Sequence, residues 1–77
     1  MYQFSITIHS FRNVRDFVAL SMVQPFDVFV ENEKQQINAK SFIGMFSLDY
    51  KRPLYVRVNC SQEEFLRFQQ EAAQVLA

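Results

Sequence analysis

The fold of this 77-residue chain is decided by one run of sequence, Ile37-Asn38-Ala39-Lys40-Ser41-Phe42-Ile43-Gly44-Met45-Phe46-Ser47-Leu48. Apolar pairs stand on both sides of Gly44, the chain's one glycine, and Ser41 precedes them. Serine is a preferred residue at a helix start, where its side chain accepts a free backbone N–H. We therefore predict a short helix over Lys40 to Leu48, with Ser41 in its first turn. A strand over Gln35 to Ala39 is predicted before it.

Hydrophobic periodicity predicts two elements at the beginning of the chain. Tyr2 to Ile8 alternates apolar and polar residues, as a half-buried strand does. Arg12 to Val23 repeats apolar residues at steps of three and four, which is typical of an amphipathic helix. Ser10 or Asn13 could cap this helix. Its predicted apolar stripe comprises Val14, Phe17, Val18, Ser21 and Met22.

The same method predicts the remaining elements. Phe26 to Val30 returns to a period of two, and the polar Asn32-Glu33-Lys34 is predicted as the turn into the next strand. Leu54 to Asn59 is the last strand. Ser61-Gln62-Glu63-Glu64 is a capping box, in which the Ser and Glu side chains each accept the other residue's backbone N–H. The final helix runs to about Leu76, and its stripe comprises Phe65, Phe68, Ala72 and Val75.

The predicted order is βαββαβα, which indicates the α+β class. Strands with one apolar face need a cover, and three helices can supply it. We predict an open-faced β-sandwich: an antiparallel four-stranded sheet covered on one face by three helices. The first six elements would also fit a ferredoxin-like fold, and periodicity does not separate the two. The length predicts a single domain over residues 1–77.

Composition narrows the classes of function. The net charge is zero, whereas nucleic-acid binders usually carry a basic surface, so no nucleic-acid partner is expected. No apolar run is long enough for a membrane span, and no signal peptide is recognisable. The one cysteine, Cys60, cannot form an internal disulfide, which favours a reducing, cytoplasmic location. Because it follows a β-rich run, we expect Cys60 to be a small buried hydrophobe and not a reactive thiol. One histidine and one cysteine build no metal site, and no catalytic set is evident, so we expect no cofactor and no enzyme.

The run around Ser41 resembles the signature of the HPr family, the phosphocarriers of the bacterial sugar phosphotransferase system. That signature reads apolar, Asn, small, Lys-Ser, two apolar residues, Gly, two apolar residues, Ser-Leu, and the segment Ile37 to Leu48 follows it at nearly every step. The resemblance extends in pattern over essentially the whole chain. It implies the HPr-like form of the open-faced sandwich.

The family's phosphorylation site is less well matched. HPr proteins accept a phosphoryl group from Enzyme I on a histidine at the start of the first helix, within the motif Gly-apolar-His-x-Arg-Pro. Counting back from Ser41 without gaps puts Ser10 at the histidine, Arg12 at the arginine and Asn13 at the proline. His9 stands one residue early and is expected at the end of the first strand. His9 is thus a weak candidate phospho-acceptor, with Arg12 as its phosphate contact; otherwise it is a surface residue.

The resemblance also implies a regulatory site at Ser41. HPr-like proteins of some bacteria are phosphorylated on the matching serine by an ATP-dependent kinase, and one relative, Crh, lacks the active histidine and works through that serine alone. The alternative is that Ser41 only caps its helix. In the family, the apolar residues after the serine bind Enzyme I, the kinase and transcription regulators. By position these are Phe42, Ile43 and Phe46, and Arg12 is a further candidate for partner binding. The alternative is that Phe42 and Phe46, four residues apart, are core residues.

We expect Met45 and Leu48 to point inward, and Ile43 and Phe46 to be more exposed. Three functions follow from the resemblance. The first is a histidine-divergent, HPr-like protein that binds partners and is controlled at Ser41, within carbon regulation and sugar transport. The second is a working phosphocarrier that uses His9. The third is a protein-interaction module in which neither phosphorylation site is active.

Overall fold

The computed structural model describes all residues from 1 to 77 and contains four strands and three helices. The strands are β1 (Tyr2–Ile6), β2 (Val28–Glu31), β3 (Gln36–Asn38) and β4 (Leu54–Val58). The helices are α1 (Phe11–Met22), α2 (Phe42–Phe46) and α3 (Gln62–Val75). The order along the chain is βαββαβα, which confirms the predicted order.

The four strands form one antiparallel sheet in the order β1-β4-β2-β3. β4 lies in the interior of the sheet and pairs with both β1 and β2, so β1 and β3 are the two edges. A ferredoxin-like sheet would have its first strand in the interior, and this alternative is therefore wrong. The predicted antiparallel four-stranded sheet is confirmed.

One face of the sheet and the helices that cover it form the core. The inward residues of β4 are Leu54, Val56 and Val58, which are buried, while Tyr55 between them is exposed. Phe17 of α1 and Phe68 of α3 pack on this face with their ring centroids 6.0 Å apart. The full set of buried apolar residues is Ile6, Ile8, Val14, Phe17, Val18, Phe26, Val28, Val30, Ala39, Met45, Leu48, Leu54, Val56, Val58, Phe68 and Ala72.

The predicted apolar stripes of α1 and α3 are buried at most positions and more exposed at Met22, Phe65 and Val75. Ser21 is fully buried, and its Oγ donates to the carbonyl oxygen of Phe17 at 2.9 Å, which satisfies the hydroxyl inside the core. Met22 is 60% exposed and does not belong to the stripe. In α3, Phe65 and Val75 are only half-buried. Phe65, in the first turn of α3, nevertheless packs against the core.

Most element boundaries differ from the predicted ones by one or two residues, and α2 differs most. It begins at Phe42 and not at Lys40 because Asn38 accepts two backbone hydrogen bonds that hold a turn before it. The N–H of Lys40 donates to Asn38 Oδ1, and the N–H of Ser41 donates to the Asn38 carbonyl, each at 2.9 Å. Ser41 is thus the residue before the first turn and not within it. The turn after β2 is as predicted, with Asn32 Oδ1 accepting two backbone N–H groups at 2.8 Å.

Candidate functional site

The start of α1 is held by side chains that accept backbone N–H groups. Ser10 is the N-cap, and its Oγ accepts the N–H of Asn13 at 3.3 Å. Asn13 Oδ1 in turn accepts the N–H of His9 at 2.9 Å. Asn13 Nδ2 also donates to the carbonyl oxygen of Val75 at 3.5 Å, in the last turn of α3. The start of α1 is therefore joined to the end of α3, and the backbone of His9 is fixed one residue before the cap.

His9 is exposed and lies beyond β1, which ends three residues earlier at Ile6. The expectation that it ends the first strand is wrong, because the paired part of β1 stops where its partner β4 begins, at Leu54. His9 lines a shallow cleft of about 310 Å³ together with residues of β1 and α3. The residue that starts the helix is Ser10, which the ungapped count had aligned with the family's histidine.

The first turn of α1 has groups that can bind an anion. The N–H groups of Phe11 and Arg12 belong to this turn, where no intrahelical acceptor exists. The guanidinium of Arg12 is exposed and is not part of any of the three ion pairs in the protein. A helix N-terminus and a guanidinium are both good ligands of a phosphoryl group. The structure thus brings His9 and Arg12 to the same end of α1.

The start of α2 has the same type of cap. Ser41 Oγ accepts the N–H of Gly44 at 3.2 Å, and the carbonyl of Ser41 accepts the N–H of Met45 at 3.0 Å. Ser41 itself is exposed. The neighbouring Lys40 is half-buried, and its Nζ donates to the carbonyl oxygen of Gln24 at 3.0 Å, just after α1. The lysine beside Ser41 therefore ties α2 to the end of α1.

Gly44 is required where α2 crosses β3. A Cβ atom on Gly44 would lie 2.7 Å from Cγ2 of Ile37 and 3.2 Å from Oγ of Ser41. The first distance is too short for two carbon atoms. The chain's one glycine thus permits the close approach of a five-residue helix to the edge of the sheet. The close approach to Ile37 is a physical reason for a glycine at position 44, which the sequence pattern alone did not supply.

Four exposed apolar side chains of α1 and α2 define a surface that we call the aromatic patch: Phe11, Phe42, Ile43 and Phe46. The rings of Phe11 and Phe46 are stacked with their centroids 4.4 Å apart and 5° between their planes. The centroids of Phe42 and Phe46 are 4.5 Å apart. Ile43 is 85% exposed, and Phe11 is 59% exposed. The patch therefore presents stacked rings and one free aliphatic side chain to solvent.

The predicted division of α2 is confirmed: Met45 and Leu48 are buried, whereas Ile43 and Phe46 are exposed. Phe42 is as exposed as Phe46, so neither is a core residue. Sequence reasoning missed Phe11, which comes from α1 and completes the patch. No sequence signal indicated this role, because Phe11 stands three residues before Val14 and seven before Val18, at the spacing of the buried stripe of α1.

Neither the single cysteine nor the acidic residues form a reactive or metal-binding site. Cys60 is half-buried beside the core, as expected of a small hydrophobe. Burial raises the pKa of the Cys60 thiol, and the nearby Glu64 carboxylate raises that pKa further, so the thiolate form is disfavoured. No three His, Cys, Asp or Glu side chains lie close enough together to hold a metal ion. None of the three helices has the length and apolar character that crossing a membrane requires.

Comparison with known proteins identifies the fold through solved structures. No protein-family model matches the sequence, and no curated protein matches it either. The HPr-C-His structure from Thermoanaerobacter tengcongensis superimposes with a TM-score of 0.78 at 21% identity, over 99% of this chain and 91% of that one. The phosphocarrier protein HPr from Bacillus anthracis gives 0.75 at 19% identity, over 99% and 96% of the two chains.

The Bacillus subtilis protein Crh is also similar, with a TM-score of 0.64 at 23% identity over 92% of this chain and 86% of Crh. Its structure is described as a dimer with a swapping domain. The chain therefore has the HPr-like fold, as the run around Ser41 had implied. At these identities the likeness defines the fold, and the roles of individual residues must be argued from their own surroundings.

Proposed function

We propose that this chain is an HPr-like protein, one domain over residues 1–77, that acts by binding protein partners through the aromatic patch. Phosphorylation of Ser41 regulates that binding, and the chain is not a normal histidine phosphocarrier. It has no catalytic activity of its own and works in the bacterial cytoplasm, within the phosphotransferase system. The observation that carries the proposal is the exposure of the patch next to the exposed Ser41.

The patch has the composition of a binding surface. Aromatic residues are enriched and charged residues are depleted at the centres of protein interfaces. Phe11 and Phe46 are already stacked, so their rings lose little conformational freedom when a partner covers them. Ile43 projects beside them and is 85% exposed in the free protein. By resemblance, the partners are Enzyme I, a serine kinase or a transcription regulator.

Ser41 is suited to control this surface. A phosphate adds a charge of about −1.5 to −2 and three acceptor oxygens. On Ser41 it would lie beside Phe42, at the edge of the patch, so it would add an anionic contact for a basic group of a partner. The N–H groups of Phe42 and Ile43 are in the first turn of α2 and have no intrahelical acceptor. The charge would therefore alter partner choice without requiring a change of fold.

The cap of α1 argues against ordinary phosphotransfer. A phosphohistidine at the helix start needs its ring beside the free amides of the first turn, and the residue in that position is Ser10. His9 lies one residue earlier, with its backbone held by Asn13 and its side chain in the cleft beside α3.

A working phosphocarrier is the second candidate. Two observations favour it. His9 is exposed and lies three residues before Arg12, and the first N–H groups of α1 have no intrahelical acceptor. In that function a neutral ring nitrogen of His9 attacks the phosphorus, a P–N bond forms, and the bond from phosphorus to Enzyme I breaks. The third candidate is an interaction module that uses the patch while neither His9 nor Ser41 is modified.

Mass measurement separates the three candidates. The protein is incubated with Enzyme I and phosphoenolpyruvate, and separately with the serine kinase and ATP. We expect an acid-stable gain of one phosphoryl group from the kinase alone, which is lost in Ser41→Ala and kept in the control Ser47→Ala. An acid-labile gain from Enzyme I that disappears in His9→Ala would support the phosphocarrier instead. No gain in either reaction would support the unmodified module.

A binding assay tests the patch itself. Ile43→Asp places a charge on the patch, and Leu66→Asp places the same charge on α3, where Leu66 is 49% exposed. We expect Ile43→Asp to weaken binding to the kinase or Enzyme I by at least about tenfold, since buried interface anchors are worth roughly 2 kcal/mol or more. Leu66→Asp should bind like the unchanged protein. Equal effects of the two changes would contradict the assignment of the patch.

A further inference from the structure

The side chain of Lys40, the residue before Ser41, is bonded to a different helix. Its Nζ donates to the carbonyl oxygen of Gln24 at 3.0 Å. Gln24 lies two residues after the end of α1 and Lys40 lies two residues before α2, so this bond joins the end of one helix to the start of the other. Lys40 is half-buried and takes part in none of the three ion pairs of the protein. The acceptor that holds the ammonium is thus a neutral carbonyl and not a carboxylate.

The end of α1 is held by few hydrogen bonds. The N–H groups of Val23 and Gln24 both donate to the carbonyl oxygen of Ser21, in the last turn of the helix. Pro25 follows and has no N–H to contribute. The bond from Lys40 is therefore the one in this group that comes from outside α1 and its cap, and its loss would leave the end of α1 with local bonds alone.

The backbone that carries Lys40 is fixed independently of its side chain. Asn38 accepts the N–H groups of Lys40 and Ser41, each at 2.9 Å. The lysine stem is flexible, and its ammonium has three N–H donors. The ammonium can therefore change its acceptor while the start of α2 stays in place.

A phosphate on Ser41 would compete with the Gln24 carbonyl for this ammonium. It would stand on the next residue of the chain, with a charge of about −1.5 to −2 and three acceptor oxygens. An ammonium is attracted more strongly by a charged phosphate than by a neutral carbonyl oxygen at the same distance. The modification thus supplies a stronger acceptor within reach of the same side chain.

We propose that phosphorylation of Ser41 draws Nζ of Lys40 away from the Gln24 carbonyl and so loosens the end of α1. The inference rests on the proposed function, since it takes Ser41 as the modified residue, and it adds the route by which the modification reaches a second helix. Met22 and Val23 at the end of α1 are 60% and 76% exposed. A protein partner that contacts them would distinguish the two forms without touching the phosphate.

The test uses the full chain with phosphoserine incorporated at position 41 during synthesis, so that no kinase is needed. NMR measures hydrogen exchange of the Val23 and Gln24 amides in the phosphorylated and the unphosphorylated protein. Lys40→Met removes the ammonium and keeps an unbranched side chain. Lys34→Met, in the exposed turn between β2 and β3, is the matched control.

We expect phosphorylation to speed exchange of the two amides by about tenfold, as the loss of one hydrogen bond to a charged group implies. Lys40→Met should speed it by a similar factor before phosphorylation, and the phosphate should then add nothing. Lys34→Met should behave like the unchanged protein in both forms. The amides of β4 should keep their exchange rates, which excludes global unfolding as the cause.

Equal or slower exchange of the Val23 and Gln24 amides in the phosphorylated protein would overturn the proposal. An acceleration by phosphate that persists in Lys40→Met would also overturn it, because the phosphate would then act without the lysine. Failure of the kinase to modify the protein is a separate result. It would contradict the proposed regulation at Ser41 and would leave the outcome for Lys40 unchanged.

Discussion

The starts of α1 and α2 have the same serine cap but are held in place by different interactions. At α1, the cap Ser10 is supported by Asn13, which binds both the preceding backbone and the end of α3. At α2, the cap Ser41 begins a helix of only five residues, and the approach of Gly44 to Ile37 seats that helix on the sheet. A long helix with a buried stripe can be fixed by hydrogen bonds at its end. A short one depends on close packing.

The two helix starts also differ in the groups that they present: those of α1 suit an anion, and those of α2 suit a protein partner. The α1 start holds the free amides, the guanidinium of Arg12 and the nearby His9, which together suit an anion. α2 contributes Ser41 at its start and, along its length, three of the four residues of the aromatic patch. Phe11 at the start of α1 stacks on Phe46 at the end of α2, so it joins the two helices into one surface. Substitutions at each start should therefore have effects that differ in size and in kind.

The largest effect is expected from Gly44→Ala. In an open helix this change would stabilise by about 1 kcal/mol through helix propensity. Here the new Cβ would meet Cγ2 of Ile37 at 2.7 Å, so overpacking should win and lower the free energy of unfolding by about 2 kcal/mol. Urea denaturation measures the change.

The same substitution in an Ile37→Ala background is the control, since that change removes the Cγ2 methyl group. There Gly44→Ala should stabilise or be neutral, and the difference between the two backgrounds gives the coupling of the pair. Equal destabilisation in both backgrounds would show that the close approach to Ile37 is not the reason for the glycine.

This glycine also shows how far the sequence predicts the structure. Periodicity found the seven elements and their order, because alternation and helical spacing are local properties. The capping box of α3 was predicted to the atom: Ser61 Oγ accepts the N–H of Glu64 at 3.1 Å, and Glu64 Oε1 accepts that of Ser61 at 3.0 Å. The bounds of α2 were not found, since a five-residue helix is too short to have a period.

Contacts between residues far apart in the sequence could not be predicted from local sequence patterns. Phe11 and Phe46 are 35 positions apart, and nothing local indicates that their rings stack. The choice of cap was left open between Ser10 and Asn13, and the structure uses both, one as the cap and one three residues later. The run around Ser41 did indicate the HPr-like fold, because it combines cap, glycine and apolar positions in one segment.

The second prediction concerns the reinforced start of α1. Asn13→Ala removes the acceptor of the His9 N–H and the donor to the Val75 carbonyl, so we expect a loss of about 1.5 kcal/mol of unfolding free energy. Asn38→Ala, in the turn before α2, is the matched control and should cost less, because it loses one side-chain acceptor contact. A larger loss of unfolding free energy in Asn38→Ala than in Asn13→Ala would contradict the view that side-chain hydrogen bonds matter more at the start of α1 than at the start of α2.

The third prediction compares the two caps directly. Ser41→Ala should cost about 1 kcal/mol, the usual value for a lost N-cap. Ser10→Ala should cost about half as much, because Asn13 continues to hold the backbone before α1. Thermal unfolding of both variants measures this order. Ser41→Asp should stay close to the unchanged protein in stability, since an Asp side chain also caps a helix.

The smallest effect on stability is expected at the aromatic patch. Phe11→Ala removes an exposed ring whose main contact is the stack on Phe46, so the free energy of unfolding should fall by about 0.5 kcal/mol. Ile43→Ala should change it by less than about 0.5 kcal/mol, since an 85% exposed side chain contributes little to packing. Both variants should nevertheless bind the kinase or Enzyme I more weakly, because a partner would bury what the free protein leaves exposed. Loss of stability without loss of binding would mean that the stack serves only to brace α2 against α1.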